Sequence, residues 1–393
     1  MPMLLYGRRY DTAEPVVLET ANGRISQTRQ VSVAQQDLDR WPWIGPAMLD
    51  VQVNGYGGQE FSAQTLTVEE VQRIANAFAE FGVTRLCPTV TTQTSAVLTH
   101  ALRTVAAACE ASPALAARLP GIHLEGPFLT PQDGARGAHP LRCIRPPDWD
   151  TFQRFQEAAG GRIRILTLSP EYDGSAEFVR RVADTGVIVS IGHTSATPEQ
   201  IRAAVDAGAR MSTHLGNGSH PMLHRLRNYL WEQMAEDRLM AGIIVDGHHL
   251  PPAVVKCLVR AKTPERCILV SDISGQAGQP PGRYTSDFCD VEILPDGKLV
   301  IAGQREFLAG AALPTNVCVA NVMEFAGVDL ATAMRMVAHN PAGLLELEPG
   351  GLEPGDPADL VQFDLARSTG KLSFDVRATV FEGTLIYGEL WAP

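Results

Sequence analysis

The sequence predicts a closed (β/α)8 TIM-like barrel together with a small β-sandwich domain built from both chain termini. Three observations support this fold class. Eight short apolar runs recur through the middle of the chain, helical segments separate most of them, and both ends show short alternating runs. Apolar runs without alternation are typical of parallel strands that are buried on both faces. Eight such strand–helix units favour a closed parallel barrel.

Each of the eight strand candidates combines an apolar body with a polar tip. In chain order they are residues 47–53, 83–89, 119–125, 162–168, 187–193, 209–214, 241–247 and 266–272. A doubly wound open sheet is the alternative fold, but no Gly-x-Gly-x-x-Gly motif follows the first strand. We therefore expect the barrel to occupy residues 47–345.

Two helices between these strands have clear start signals. One is expected to begin at Thr67, where Glu70 completes a capping box, and Gly82 follows it as a stop. Another is expected to begin at Thr197, with Pro198 at the first helical position.

The two ends of the chain differ from the middle. Residues 1–46 and 346–393 contain short alternating runs separated by Gly and Pro, which predicts one small β-domain made from both termini. The segment 280–312 is rich in Gly and Pro and has a hairpin signal, Pro-Asp-Gly-Lys, at 295–298. We expect this segment to cover the barrel mouth.

Composition narrows the functional class. A length of 393 residues is long for one core, which predicts a large domain and a smaller one. The formal net charge of −11 argues against a nucleic-acid partner. No apolar stretch is long enough to span a bilayer, and the first fifteen residues lack a signal-peptide pattern. The seven cysteines are scattered without a Cys-x-x-Cys pair, which predicts a reduced, cytoplasmic protein.

The strand tips carry an unusual number of polar side chains. Barrel enzymes place their chemistry at the carboxyl ends of the strands. Any one of these residues alone is more often structural, but as a set they predict a site at the mouth. The tip residues are Gln52, Asn54, Glu125, His193, His214, Asp246, His248, His249 and Asp272.

Glu125, His193 and His214 suit one divalent metal ion. Two imidazoles and one carboxylate leave an open position for water; zinc is the usual occupant, and iron or another transition metal also fits. Asp272, at the last tip, could take a proton from that water and deliver it to a leaving group. Its alternative interpretation is a loop or helix-capping aspartate.

The first strand and the lysines favour one metal ion over two. Two-metal barrel hydrolases usually have a His-x-His on the first strand and often a modified lysine on the fourth. Here the first strand offers Gln52 and Asn54, whose amides are poor zinc ligands, and no lysine precedes Lys256.

These residues lie in motifs that resemble the N-acetylglucosamine-6-phosphate deacetylases of the amidohydrolase superfamily, in its single-metal branch. The motifs keep the family order and span most of the barrel: LDVQVNGYGG (49–58), GIHLEGPFL (121–129), GAHP (137–140), GHTSA (192–196), STHLGNG (212–218), GIIVDGHH (242–249) and LVSD (269–272). The tail GGLEPGDPADLVQFD (350–364) resembles the closing strands of the superfamily.

The resemblance implies a role for each matching residue. Glu125, His193 and His214 correspond to metal ligands, and Asp272 to the general base and then acid. His139 corresponds to the group that helps to polarise the amide carbonyl. Substrate contacts are implied for Asn217, Gly218, His249 and Arg225, the last reaching in from a neighbouring subunit, which implies a homodimer. Gln52 and Asn54, also counted among the substrate-binding residues, are expected to serve hydrogen-bonding or structural roles.

The chain departs from the family pattern beside the second histidine ligand. The family usually has an aromatic residue and then Asn-Ala-Met after Thr-His-Leu, whereas this chain reads THLGNGSHPMLHR over 213–225. After Asp272 it reads ISGQAG in place of an alanine-rich loop. These departures leave the sugar, and the need for a 6-phosphate, open.

We therefore expect a metal-dependent hydrolase that removes acetate from an N-acetylated amino-sugar phosphate, with N-acetylglucosamine 6-phosphate as the first candidate. The alternatives are deacetylation of another N-acyl sugar or N-acyl amino acid, and a catalytically silent barrel that acts as a binding or scaffold protein.

Overall fold

The computed structural model describes residues 3–285, 290–303, 308–368 and 370–393. Its strands are, in chain order, β1 (Met3–Arg9), β2 (Pro15–Ala21), β3 (Arg24–Gln30), β4 (Trp43–Pro46), β5 (Met48–Val53), β6 (Gly55–Tyr56), β7 (Gln59–Glu60), β8 (Val83–Thr91), β9 (Ile122–Glu125), β10 (Ile163–Leu168), β11 (Ile188–Ile191), β12 (Ala209–Ser212), β13 (Met240–Ile243), β14 (Cys267–Leu269), β15 (Gly282–Thr285), β16 (Asp290–Ile293), β17 (Leu299–Ile301), β18 (Leu360–Ser368), β19 (Lys371–Phe381) and β20 (Thr384–Gly388).

The α-helices are α1 (Gln35–Leu38), α2 (Val68–Ala77), α3 (Ser95–Ala111), α4 (Pro113–Arg118), α5 (Trp149–Ala158), α6 (Ser175–Ala183), α7 (Pro198–Asp206), α8 (Tyr229–Ala235), α9 (Pro252–Lys262), α10 (Thr315–Ala326), α11 (Leu330–Met334) and α12 (Asn340–Leu344). Among the described residues, every helix is too short or too polar to traverse a lipid bilayer.

Eight parallel strands form the barrel, as the sequence predicts. They pair in the order β5, β8, β9, β10, β11, β12, β13, β14. Val53 at the end of β5 forms a parallel bridge with Ile273, which follows β14, and so brings the first strand to the last. All six residues of β5 are buried, as expected for a strand covered on both faces. The open-sheet alternative is therefore wrong.

The two predicted helix starts are confirmed. Thr67 caps α2 in a complete capping box, and the chain leaves the following 3-10 turn through Gly82, whose φ of 78° suits glycine. Thr197 caps α7 in the same way, with Pro198 at the first helical position.

The terminal strands form one seven-stranded sheet in the order β20, β19, β18, β4, β1, β2, β3. Side chains from both ends of this sheet meet in a single apolar cluster that includes Leu5, Leu18, Ile25, Leu360 and Val380. The sheet therefore curls over its own core, and the predicted fold class is confirmed. The proposed domain boundaries, 1–46 plus 346–393 against 47–345, stay a prediction.

The segment after β14 builds a small antiparallel sheet of β15, β16 and β17 over the barrel. Its β16–β17 turn spans the predicted Pro-Asp-Gly-Lys sequence, where Leu294 and Lys298 are joined by a backbone hydrogen bond of 2.9 Å. Val291, Lys298 and Ile301 line the cavity at the barrel mouth. The predicted hairpin is confirmed, and described residues of the segment 280–312 lie over the mouth as expected; residues 286–289 and 304–307 of that segment are outside the described part of the chain.

Candidate active site

A cavity of about 730 Å³ opens at the carboxyl ends of the barrel strands. Most of the residues that the sequence singles out line it: Asn54, Glu125, His139, His193, His214, Asn217, Gly218, His248, His249 and Asp272. This is the end of a parallel barrel at which loops from all eight strands can converge. The strand-tip argument therefore locates the cavity correctly.

Glu125, His193 and His214 converge on one point although they are far apart in the chain. Glu125 Oε1 lies 3.0 Å from His193 Nε2 and 3.3 Å from His214 Nε2. Each residue offers one ligand atom, all of these atoms lie within 4.8 Å of one another, and the group could hold a metal ion. Burial alone would raise the pKa of Glu125, but the surrounding histidines hold this pKa well below its usual range.

The orientation of His193 is fixed from behind. Its Nδ1 lies 2.9 Å from the carbonyl oxygen of Ala135. A carbonyl only accepts, so His193 Nδ1 carries the proton. His193 Nε2 then presents its lone pair toward Glu125 and His214. Gly218 packs against the same ring, because a Cβ there would lie 2.6 Å from His193 Nδ1. Close packing and one carbonyl therefore set both the tautomer and the position of this imidazole.

Three of the strand-tip residues have left-handed backbone conformations. The φ angles are 47° at His193, 30° at His214 and 50° at Asp272, each just beyond the end of its strand. A non-glycine residue adopts this conformation only where its surroundings impose it, and such residues cluster at functional sites. The turns aim these side chains into the cavity instead of continuing the strand.

Asp272, just beyond the last barrel strand, faces Glu125, His193 and His214. It is held by two amides, one in β5 and one directly after it. Its Oδ1 accepts from Gln52 Nε2 at 3.1 Å and from Asn54 Nδ2 at 2.8 Å. The Gln52 nitrogen also lies 3.1 Å from Glu125 Oε2. Burial and the nearby Glu125 charge raise the pKa of Asp272.

His139 belongs to the same cluster. Its Nε2 lies 3.1 Å from His193 Nε2 and 3.7 Å from Glu125 Oε1. Burial, together with the neighbouring His193, lowers the pKa of His139 to about 4. The imidazole is therefore neutral at pH 7 and retains one N–H donor.

The expected substrate-binding residues divide into two groups. Asn217 and Gly218 lie in the turn directly after His214, and the Asn217 backbone N–H donates to His214 O over 2.9 Å. His249 lines the cavity, where its Nδ1 lies 2.8 Å from Asp246 Oδ2. Arg225, in contrast, is exposed and does not line the cavity of its own chain.

Several groups at the site were not assigned a role from the sequence. Arg136 lines the cavity, and its Nη1 donates to the His139 carbonyl over 2.7 Å. Lys298 reaches the cavity from the hairpin. The Ala135 carbonyl leaves no signal in the sequence. Arg136 could have been noticed as a basic residue directly beside the Gly-Ala-His motif.

Beneath the cavity, His123 begins a chain of buried hydrogen bonds. Its Nδ1 lies 3.0 Å from Val51 O, and its Nε2 lies 2.7 Å from Thr167 Oγ1. Thr167 Oγ1 contacts Thr213 Oγ1 at 2.7 Å, and Thr213 contacts Ser190 Oγ at 2.6 Å. His123 thus belongs to the barrel interior and not to the cavity lining.

Fold and site together define a class: a (β/α)8 barrel with a mouth site of one carboxylate and two imidazoles that could hold a metal ion, faced by a further carboxylate. The family model described as "Amidohydrolase family" matches residues 43–390. The chain is 32% identical over 350 residues to the N-acetylgalactosamine-6-phosphate deacetylase of Escherichia coli O157:H7, covering 88% of this chain and 90% of that one. It is 34% identical over 355 residues to the N-acetylglucosamine-6-phosphate deacetylase of Homo sapiens, covering 88% and 83%.

Among solved structures, the N-acetyl-D-glucosamine-6-phosphate deacetylase of Mycobacterium smegmatis superposes with a TM-score of 0.86 at 29% identity, covering 98% of this chain and 100% of that one. The chain belongs to the amidohydrolase family, in the group that contains the N-acetylglucosamine-6-phosphate deacetylases. It is a hydrolase acting on amides. The family predicted from the motifs is thus confirmed, and the silent-scaffold alternative is set aside.

Proposed function

We propose that this protein hydrolyses N-acetylglucosamine 6-phosphate to glucosamine 6-phosphate and acetate. One observation carries the proposal: alignments that cover 88% of this chain match it, at 32% and 34% identity, to deacetylases of N-acetylated hexosamine 6-phosphates. The cavity supports it, since a carboxylate base faces a group able to hold a metal ion. The test is release of acetate from N-acetylglucosamine 6-phosphate by the purified, metal-loaded protein.

Glu125, His193 and His214 would hold one divalent metal ion, with zinc as the first candidate and iron or another transition metal as alternatives. The donor set fits, because two neutral imidazoles and one ionised carboxylate are common zinc ligands. The fixed tautomer of His193 also fits, since it leaves Nε2 unprotonated. When bound, such an ion supplies Lewis acidity toward a water molecule and toward the substrate carbonyl.

Asp272 would act first as a base and then as an acid. Its carboxylate would accept a proton from the attacking water and then donate a proton to the departing sugar amine. The raised pKa of this buried carboxyl suits both steps. Neutral His139 would donate its N–H to the acetyl oxygen, where negative charge develops during attack.

Asn217, Gly218 and His249 would hold the sugar phosphate from within one chain, and Arg225 would reach the phosphate from a partner subunit. Two observations support a homodimer. Arg225 is exposed outside its own cavity, and the segment around it carries large apolar side chains that are also exposed. These are Met222 (89% exposed), Leu226 (73%) and Trp231 (52%). Light scattering on wild type and on Leu226→Glu tests this, with a monomeric variant as the expected result.

The epimer at the sugar C4 position is a second question, because relatives named for one sugar and relatives named for the other match the chain at comparable identity. We propose the gluco epimer as the better substrate. Specificity constants for N-acetylglucosamine 6-phosphate, N-acetylgalactosamine 6-phosphate, N-acetylglucosamine and an N-acetyl amino acid would rank the alternatives. A preference for the last two would reject the phosphosugar proposal.

Metal stoichiometry provides an independent test. Elemental analysis of protein purified with ample metal should find about one ion per chain, as expected for a site of three protein ligands. No bound metal would reject the proposed mechanism. A reducing, cytoplasmic location is also proposed, and the six described cysteines, none of which forms a disulfide, support it.

A further inference from the structure

The turn that presents His193 is strained and needs support. His193 has a φ of 47°, which a histidine adopts only when neighbouring contacts impose it. One such contact is a backbone hydrogen bond: the Thr130 N–H donates to the His193 carbonyl over 3.0 Å. The other contacts lead away from the cavity, to a carboxylate that has no part in the proposed chemistry.

That carboxylate belongs to Glu171, which follows the end of β10. Its Oε2 accepts from the Ser195 backbone N–H at 2.6 Å and from Ser169 Oγ at 2.7 Å. Its Oε1 accepts from Thr130 Oγ1 at 2.8 Å. These neutral donors come from three different strand ends, because Thr130 follows β9, Ser169 follows β10 and Ser195 follows β11.

The same unit is tied together by further bonds. Thr130 Oγ1 lies 2.9 Å from Ser195 Oγ, and Gln200, within α7, donates to the Glu171 carbonyl over 2.9 Å. Thr130 is fully buried. Glu171 itself does not line the cavity. The carboxylate therefore contacts Ser195, two residues after His193, and Thr130, whose N–H bonds the His193 carbonyl, but it does not touch the site.

We infer that Glu171 is a positioning residue for His193: it anchors the turn that aims this imidazole at the proposed metal site. The inference rests on the proposed metal-dependent function. Hydrogen bonds to an ionised carboxylate are short and strong, so three of them can hold a strained turn in one geometry. Outer partners that orient a metal ligand typically change metal affinity about 10- to 100-fold when they are removed.

The test compares Glu171→Gln with Glu177→Gln. Glutamine has the shape of glutamate but one accepting oxygen instead of two, so at least one donor loses its partner. Glu177 is exposed on α6 and pairs with Arg180, which makes it a matched control. Metal-free protein is titrated with Co²⁺ in competition with a chelator, and the visible absorption spectrum of the Co²⁺-loaded protein is recorded.

For Glu171→Gln we expect Co²⁺ affinity to fall about 10- to 100-fold and the cobalt absorption bands to shift, because the imidazole no longer keeps its geometry. Glu177→Gln should match the wild type in both. A purely structural role would lower the melting temperature and leave the spectrum of the folded protein unchanged. Wild-type Co²⁺ affinity and spectrum in Glu171→Gln would overturn the inference.

A second pair of variants covers the case in which Glu171→Gln does not fold. Thr130→Val removes the hydroxyl that donates to the Glu171 carboxylate. It keeps the backbone N–H that donates to the His193 carbonyl. It should weaken Co²⁺ binding in the same direction, and Thr130→Ser should restore it. If neither variant differs from wild type, the inference fails. Since Co²⁺ is the probe, a wild-type protein without deacetylase activity would reject the proposed substrate and leave this result standing.

Discussion

Gln52 donates through its side-chain nitrogen to Asp272 Oδ1 over 3.1 Å, so the first barrel strand holds the carboxylate of the last. Asn54 donates to the same oxygen over 2.8 Å. Amide donors thus stand where two-metal barrel hydrolases place histidine ligands. We interpret both amides as groups that orient Asp272, because N–H donors to a carboxylate fix its direction and favour its ionised form.

Asn54→Ala should therefore lower kcat and leave KM nearly unchanged. Loss of a hydrogen bond to a charged group costs about 1.5–3 kcal/mol, which corresponds to about a 10- to 150-fold lower kcat. Steady-state kinetics on the metal-loaded variant provide the measurement. Asn316→Ala is the control, because Asn316 also donates from a half-buried amide, to Phe374 O, away from the cavity. An unchanged kcat in Asn54→Ala would exclude this orienting role.

Asp272→Asn should remove turnover while the protein retains its metal ion. Asparagine fills the same volume and can still accept from Asn54, but it cannot take a proton from water. A positioned general base contributes about 10²- to 10⁴-fold, so we expect kcat to fall at least a hundredfold. Acetate release and metal content, measured on one preparation, separate the two effects. Turnover near the wild-type rate would mean that another group is the base.

Gly218→Ala should weaken metal binding by displacing an imidazole. The added Cβ would lie 2.6 Å from His193 Nδ1, closer than such atoms can approach. The ring would then have to leave the Ala135 carbonyl, and loss of such an outer contact typically costs about 10- to 100-fold in metal affinity. Competition with a chelator measures this affinity.

Gly174→Ala is the matched control for that variant. Gly174 has a φ of 79°, so alanine is strained there too, but no atom lies within 4 Å of the added Cβ. The two variants share the backbone strain and differ in the clash with a ligand ring. Equal metal affinity in both would show that the contact with His193 is unimportant.

The barrel and the members of its site could be predicted because they depend on local pattern. Strands buried on both faces read as unbroken apolar runs, and a parallel barrel necessarily places all their carboxyl ends on one rim. Glu125, His193, His214 and Asp272 could therefore be expected at one rim of the barrel, and all four line the cavity there. Capping boxes at Thr67 and Thr197 locate helix starts in the same local way.

The supporting contacts could not be predicted from the sequence, because they involve backbone atoms or distant side chains. The Ala135 carbonyl that orients His193 has no residue-type signal. The left-handed turn at His193 follows from contacts with Glu171 and Thr130, which lie on other strand ends. Arg225 lies outside the cavity of its own chain, in line with what the family resemblance implied, but no local pattern around this residue predicts it.

Arg225→Ala should raise KM for phosphorylated substrates and leave KM for their unphosphorylated forms unchanged. In the proposed dimer the guanidinium contacts only the phosphate, so its loss removes binding energy that is specific to that group. The measurement is the pair of KM values for N-acetylglucosamine with and without the 6-phosphate. Arg227→Ala, at an exposed neighbour paired with Glu199, is the control. Equal losses for both substrates would remove Arg225 from phosphate recognition.

Thr167→Val should destabilise the fold through the hydrogen-bond chain under the cavity. Since Val51 O only accepts, His123 Nδ1 carries the proton, and His123 Nε2 must accept from Thr167 Oγ1. Thr167 in turn accepts from the Thr213 hydroxyl, so valine leaves two buried polar groups without this partner.

The expected loss in the free energy of unfolding is about 1–3 kcal/mol, the usual cost of an unsatisfied buried polar group. Urea denaturation of the metal-free protein measures it without any contribution from bound metal. Thr104→Val makes the same chemical change at a half-buried position in α3 whose hydroxyl bond, to His100 O, is exposed. Substitutions at such surface bonds usually stay within about 0.5 kcal/mol. If the two variants unfold at the same urea concentration, the buried hydrogen bonds of Thr167 contribute nothing to the free energy of unfolding. A loss confined to Thr167→Val would show that this polar layer supports the strands that carry Glu125 and His214.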